Sequence, residues 1–274
     1  MAELGVRRCR PLLGTFVEVA VPQGYEAIIE GAFDAIAHVH ARMSFHRGDS
    51  DLARLRNAPL GHFVRVDPDT VAVLRFAQQL HSASGGLFDV AVGARLVELR
   101  LLPSPEGSRP QELTGTTADI EFRGDDRVRC LRPMLIDLGG IAKGYAVDRA
   151  AAALAMAGAP SALVNAGGDL RVIGDLPQII HLREADGSLA GAIEIANCAV
   201  ATSGRITEDA ASPHLDRQRR PVNVRNAVSI VAGQCIVADA MTKVALADET
   251  LATAMLRDLG GEILPLPGPE RLAA

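Results

Sequence analysis

The stretch that decides how this chain reads is Asp137-Leu-Gly-Gly-Ile-Ala-Lys143-Gly-Tyr-Ala-Val-Asp148-Arg149. The apolar run Met134-Leu-Ile predicts a strand that ends in the carboxylate of Asp137. The glycine pair then predicts a turn, and Ile141 to Ala157 a helix with a lysine in its first turn. Such a junction suits a phosphate: glycines let backbone N–H groups approach an anion, the helix N-terminus adds partial positive charge, and the lysine adds a point charge. The same residues also suit a plain tight turn with a solvated lysine. The spacing is neither that of a P-loop nor that of a dinucleotide-binding GxGxxG, so neither motif applies here.

On the N-terminal side of this block the pattern is mostly helical. Phe16 to Val21 alternates as a strand, and Tyr25 to Met43 carries Ile28, Ile29, Ala32, Phe33, Ile36, Val39 and Met43 at helical spacing. Ser50 is an N-cap for a short helix ending near Asn57; His62 to Val66 reads as a strand, and Asp67-Pro68 opens a helix that stops at Gly85-Gly86. Residues 101–117, rich in Pro and Gly, form a loop, and 119–123 with 127–131 form a hairpin around Gly124-Asp125-Asp126. On the C-terminal side, 161–165, 170–173, 179–183 and 192–195 predict antiparallel strands, the last two joined around Ala185-Asp186-Gly187. Ala227 to Val231 is a further strand, followed by helices over Val237 to Leu246 and Glu249 to Gly260. The expected organisation is one domain over 1–274, with an N-terminal helical lobe over about 1–100 and a sheet-rich lobe over about 118–274.

Composition limits the function classes. The chain has 274 residues, 48% apolar and 22% charged, with 28 Lys+Arg against 33 Asp+Glu, which excludes coiled coil, collagen and disorder. With net charge -5, no Trp, 2 Tyr and 7 Phe, it lacks both the basic surplus and the stacking platforms of a general nucleic-acid binder. No run of about 18 apolar residues is present, and the first ten residues lack a secretory h-region, so the expected location is the cytoplasm, with no membrane segment. Cys9, Cys130, Cys198 and Cys235 are isolated and read as reduced thiols.

Two further small-residue elements share the texture of the central block. Asn165-Ala-Gly-Gly-Asp169 joins two predicted strands, and Ala201-Thr202-Ser203-Gly204 follows another; together the three could line one pocket with backbone donors, or be turns and nothing more. In Ala238-Asp239-Ala-Met-Thr242-Lys243 a carboxylate at a helix start meets a hydroxyl and an ammonium one turn later. Oxygen ligands so placed suit Mg2+ beside a pyrophosphate, while Asp239 and Lys243 alone read as a surface ion pair.

These motifs occur in the order Leu13-Gly-Thr15, Ser44, Ser50-Asp51 with Leu55 and Asn57, Gly86-Leu87-Phe88-Asp89, the 137–149 block, Asn165 to Asp169, Thr202-Ser-Gly204 and Ala238-Asp239-Ala240. In that order they resemble the ApbE family of FAD:protein FMN transferases over nearly the whole chain. The resemblance implies an α+β fold of antiparallel sheet with flanking helices, its two lobes around an FAD cleft. It implies Mg2+-assisted transfer of FMN from FAD to a Thr or Ser hydroxyl of a partner flavoprotein, with release of AMP. It also implies that Leu13, Leu87, Phe88, Asp89, Asp137, Lys143, Thr202, Ser203 and Gly204 contact FAD. It further implies that the metal takes the carbonyl of Gly140 and the carboxylate of Asp239; helix spacing puts the hydroxyl of Thr242 on the same face as a third ligand, and Asp239, Lys143, Thr242 and Lys243 are the candidate catalytic group.

The chain departs from the family pattern at three places. Leu13 stands where Met is usual, a change of similar volume. Lys243 stands where the family's metal helix has Thr, with Thr242 one position early. The segment Ser212-Pro-His214-Leu-Asp216-Arg217-Gln-Arg219-Arg220 lacks the family's Pro-x-Thr-Gly turn, and its His falls one position late, so His214 is either a displaced functional residue or a loop histidine. Two alternatives therefore accompany the transferase: an FAD pyrophosphatase giving FMN and AMP, and a non-catalytic FAD-binding protein in which Lys243 displaces the metal.

Overall fold

The computed structural model describes residues 4–105, 112–183, 188–204, 212–224 and 226–265. Its chain divides into two compact units, Met1–His38 with Lys143–Ala210 and Asn223–Ala274, and Val39–Ala142 with Ala211–Val222. This division differs from the expected helical and sheet-rich lobes. The first strands of the chain belong with the later ones, and the 119–131 hairpin belongs with the helices that precede it.

The first unit is built on a seven-stranded, fully antiparallel sheet in the order β1-β2-β6-β7-β10-β11-β12. Its strands are β1 (Val6–Leu12), β2 (Thr15–Val21), β6 (Ala162–Ala166), β7 (Asp169–Ile173), β10 (Ala199–Ser203), β11 (Val228–Ala232) and β12 (Gly261–Leu264). β8 (Gln178–Arg183) and β9 (Leu189–Ile195) pair separately, as the alternation predicts; the predicted turn between them lies outside the described residues. β1 gave no signal in the sequence because it is an exposed edge strand: its arginines and Pro11 carry no apolar alternation, and Arg7 and Arg10 form ion pairs with Glu18 and Glu30. A buried cluster including Leu163, Leu170, Val172, Ile180, Leu182 and Val200 joins this sheet to the β8–β9 pair. Helix α6 (Cys235–Ala247) packs against β10 and β11, with Ile236, Val237, Met241 and Val244 buried, and α7 (Glu249–Leu259) packs on α6. The capped start of α7 at Asp248 and its left-handed end at Gly260 fall where the sequence sets them.

The second unit holds α2 (Asp51–Asn57), α3 (Pro68–Ala83), α4 (Gly93–Glu98) and the sheet β3-β5-β4, with β3 (Val64–Arg65), β4 (Ile120–Arg123) and β5 (Arg127–Cys130). Ser50 and Asp67 cap α2 and α3 as predicted, accepting from Ala53 N and Asp69 N. The strand predicted at 134–137 is absent. Its backbone bonds instead to the 90–93 segment, Asp137 N donating to Val90 O and Gly93 N to Leu135 O, and Met134, Leu135 and Ile136 are buried there without joining a sheet. Helix α1 (Ile29–Met43) contributes to the first unit up to His38, and α5 (Ala142–Met156) belongs to it from Lys143. Among the described residues no helix is long and apolar enough to cross a membrane.

Candidate active site

Strand register gathers the small-residue motifs at one end of the seven-stranded sheet. The β1–β2 turn is Leu13-Gly14, both at positive φ, and closes on the pair Leu12↔Thr15. The β6–β7 turn is Gly167-Gly168, also both positive, and closes on Ala166↔Asp169. These are two-residue turns of the kind whose twist matches that of antiparallel strands. Because Val17 pairs with Ala166, both turns leave the sheet at the same end, close enough that a Cβ on Gly167 would meet the Thr15 side chain. Antiparallel to β7, β10 ends there too, at Thr202 and Ser203.

Helix α5 brings its first turn to this end, with Lys143, and α6 its second and third turns, with Asp239, Thr242 and Lys243. Asp148 of α5 accepts from Cys235 N and Ile236 N, both at 2.9 Å, and so caps the N-terminus of α6, whose own N-cap residue Gln234 offers no side-chain bond. Arg171 of β7 donates to the same carboxylate at 2.6 Å. Gly144 lies against the start of α6: a Cβ there would fall within 2.8 Å of Asp239 Cβ and closer still to the Cys235 backbone, so only glycine allows the approach. That approach lets Gly144 N donate to Asp239 Oδ2 at 2.9 Å.

Four charged groups result. Lys143 bonds to Asp169, which is 1% exposed, while Lys143 itself is 32% exposed. Lys243 Nζ donates to Asp239 Oδ1 at 2.6 Å, to Ser203 Oγ at 2.9 Å and to Thr242 Oγ1 at 3.0 Å. Thr242 gives its own hydroxyl proton to the Asp239 carbonyl at 2.7 Å, so the Ser203 hydroxyl donates to Thr242 across 2.8 Å. Burial would push the Asp239 carboxyl up, but Lys243, Lys143 and the Gly144 N–H hold it below the usual carboxylate range. Burial likewise opposes the Lys143 charge, yet Asp239 and Asp169 hold its pKa above the ordinary lysine value. Asp169 is pushed up to about 6 by burial and by Asp239, against the pull of Lys143 and Lys243, and its Oδ1 is buried with no partner.

The first unit thus brings together Leu13, Lys143, Thr202, Ser203, Gly204, Asp239, Thr242 and Lys243, while Leu87, Phe88, Asp89, Asp137 and Gly140 belong to the second. There, Asp89 is committed to its own unit. Its Oδ1 accepts from Ala91 N, Thr117 N and Thr117 Oγ1, and its Oδ2 from Arg219 at 2.7 Å. Arg219, at φ 58, also donates to Gly115 O, and its carbonyl accepts from Arg95. The segment without the family's turn is therefore closed otherwise, by Asp216 accepting from Gln218 N, Arg220 N and Arg220 Nε. His214 is buried in it, its N–H on Ser212 Oγ and its carbonyl taking Val222 N. Phe88 is buried, and burial raises the Asp137 carboxyl against the Gly139 N–H and His46.

The oxygens expected to hold Mg2+ on α6 do not fit that ion. Both oxygens of Asp239 are bonded, Thr242 Oγ1 takes two donors while giving its proton away, and an ammonium sits among them. Mg2+ requires oxygens at about 2.0–2.1 Å in an octahedron, which these groups supply only if Lys243 leaves. Nor are Asp239 and Lys243 the surface pair that their spacing suggests, because Asp239 is wholly buried. Three residues with roles here were not singled out from the sequence: Asp169, Asp148 and Arg219. All three stood inside quoted segments, without a role of their own there.

An antiparallel sheet carrying helices, with paired lysines and carboxylates at one end, defines an α+β protein with a charged site at the sheet's end. A sequence profile of the ApbE family matches residues 13–263, and the chain belongs to that family. It is 32% identical over 189 residues to the FAD:protein FMN transferase of Rhodobacter capsulatus, covering 60% of this chain and 34% of the relative. It is 27% identical over 185 residues to that of Vibrio cholerae, covering 62% and 55%. The matched region spans between about a third and about two thirds of the length of its curated relatives, 34% to 64%. The ApbE protein of Thermotoga maritima superposes with a TM-score of 0.83 at 24% identity, over 97% of this chain and 98% of that one. The flavinyl transferase ApbE of Pseudomonas stutzeri gives 0.80 at 23%, over 96% and 92%. These likenesses establish the fold.

Proposed function

We propose that this protein transfers the FMN half of FAD to a Thr or Ser hydroxyl of a partner flavoprotein and releases AMP. The observation that carries the reading is the pair of partly exposed ammonium groups, Lys143 and Lys243, anchored by the buried carboxylates Asp169 and Asp239 in a chain of the ApbE family. A pyrophosphate meeting them gains two fixed positive charges in a partly desolvated setting, where they count for more than in water.

In the reaction the acceptor oxygen attacks the flavin-side phosphorus. A new P–O bond forms, the bond from that phosphorus to the bridging oxygen breaks, AMP leaves with the bridging oxygen, and the hydroxyl proton passes to solvent. Negative charge grows on the phosphoryl and bridging oxygens, and stabilising it is the role of Lys143 and Lys243. Leu13 stands at the flavin side, Thr202, Ser203 and Gly204 line the dinucleotide, and Leu87, Phe88 and Asp137 keep the FAD contacts that the family implies. Asp89 acts through the loop it holds. Mg2+ is no step of this reading, since its expected ligands on α6 are already bonded. The four free cysteines support a reducing compartment, the cytoplasm, as the place of action.

The test is chromatographic measurement of AMP from FAD, with and without a threonine-bearing acceptor flavoprotein, while the acceptor is followed for covalent flavin fluorescence. AMP that requires the acceptor and matches its flavinylation is the expected result. AMP at equal rate without acceptor makes the protein an FAD pyrophosphatase. FAD bound but intact in both arms makes it a flavin-binding protein, and no FAD binding removes the reading.

A further inference from the structure

We infer that Lys243 is this protein's resident cation: its ammonium occupies the position that a divalent metal would take among Asp239, Ser203 and Thr242, so that the site holds FAD's pyrophosphate without metal. The inference about metal stands on the geometry alone; its extension to FAD rests on the function proposed above.

The geometry is saturated on both sides. An ammonium has three N–H donors, and those of Lys243 find three acceptors at 2.6, 2.9 and 3.0 Å, supplied by two residues of α6 and the last residue of β10. From the oxygens' side, Asp239 Oδ1 is spent on Lys243 and Oδ2 on Gly144 N, while Thr242 gives its proton to its own helix. The charges also balance, since Lys143 and Lys243 face Asp169 and Asp239. A divalent ion would add two uncompensated positive charges to this cluster. With threonine at 243, the same cluster would carry one net negative charge and a free Asp239 oxygen, which is what a cation site needs. A displaced Lys243 could not go far, being tethered one helical turn from Asp239 and 19% exposed, so it would remain as a like charge beside any metal.

The ammonium differs from a metal in consequence as well as in charge. It is covalently fixed, needs no metal supply, and donates directional hydrogen bonds, so a phosphate oxygen reaching it replaces one of the three acceptors without dehydrating an ion. The native chain should therefore bind FAD equally well with Mg2+ or with EDTA.

The experiment titrates Mn2+, as a paramagnetic probe, into the native protein and into Lys243→Thr, and measures FAD affinity of both with Mg2+ and with EDTA. The native chain is expected to show no saturable Mn2+ site that depends on Asp239, and the same FAD affinity in either medium. Lys243→Thr should gain one Mn2+ site, at least about a hundredfold tighter than any native binding, the scale of removing a unit positive charge at contact distance from a divalent ion. That site should vanish on adding Asp239→Asn. A saturable Mn2+ site on the native chain that Asp239→Asn abolishes would overturn the inference, as would a native FAD affinity that collapses in EDTA. Neither decisive reading needs Lys243→Thr, and the FAD comparison uses the native chain alone, so it decides even if a variant fails to fold. If no FAD binds, the function proposed above fails while the Mn2+ titration still decides the role of Lys243.

Discussion

Gly144→Ala is expected to destabilise this protein, against the rule that alanine improves a helix. In a helix interior the exchange ordinarily gains about 0.8–1 kcal/mol. At Gly144, however, the new Cβ would meet the Cys235 backbone and come within 2.8 Å of Asp239 Cβ, where real contacts do not occur. Overpacking of this kind costs about 1–3 kcal/mol, and the upper end applies because the obstacle is backbone, which cannot swing aside as a side-chain tip can. The expected net loss is therefore about 2 kcal/mol. Gly31 in α1 supplies the control: nothing lies within 4 Å of its Cβ position, so Gly31→Ala should gain up to about 1 kcal/mol. Urea denaturation followed by circular dichroism would put the two variants about 3 kcal/mol apart at equal slope. The Gly144 variant alone should also lose FAD affinity, because forcing α6 away removes the Gly144 N–H from Asp239. A Gly144→Ala protein as stable as the native chain would refute the close approach of α5 and α6, and with it the construction of the site.

Two further outcomes follow from the charged groups. Asp169, pushed up to about 6, binds its proton in the native state over a range where the unfolded carboxyl, near 3.9, has lost it. Stability from this group is thus full below about pH 4 and falls as pH rises toward about 6, by up to about 3 kcal/mol, while Asp239 titrates below this window and Lys143 above it. Asp169→Asn should flatten that slope in urea midpoints measured across the window; an unchanged slope would mean that another group causes it. In the second unit, Arg219→Ala should cost about 2 kcal/mol by leaving Asp89, 8% exposed, short of its cation. Arg219→Gly should cost about 1 kcal/mol less than alanine, because φ is 58 there and glycine carries no left-handed penalty. Equal losses for the two would show that the backbone at 219 is unstrained.

What the sequence made legible was local. Caps at Ser50 and Asp67, the Asn165 to Asp169 turn and the helix opening at Lys143 are each encoded within a few residues, and each forms as its neighbours dictate. β1 carries no alternation to read, and the 134–137 segment reads as a strand although its burial has another source. The first is an edge whose charged residues face solvent, and the second is an apolar run covered by the 90–93 segment rather than by strands. Lys243 shows where local reading stops. Spaced four residues after Asp239, it reads as an exposed helical pair worth about 0.3–0.5 kcal/mol. Two facts remote in sequence change its meaning. Packing of α6 on β10 and β11 takes Asp239 to 0% exposure, and the β7–β10 pairing ends β10 where Ser203, 40 residues earlier, becomes the third acceptor of the ammonium. A buried carboxylate left without its cation costs several times what a surface pair is worth, so some positive charge must occupy that position. In this chain α6 itself supplies it, and on the inference drawn for Lys243 the departure at 243 changes which cation serves the site rather than removing one.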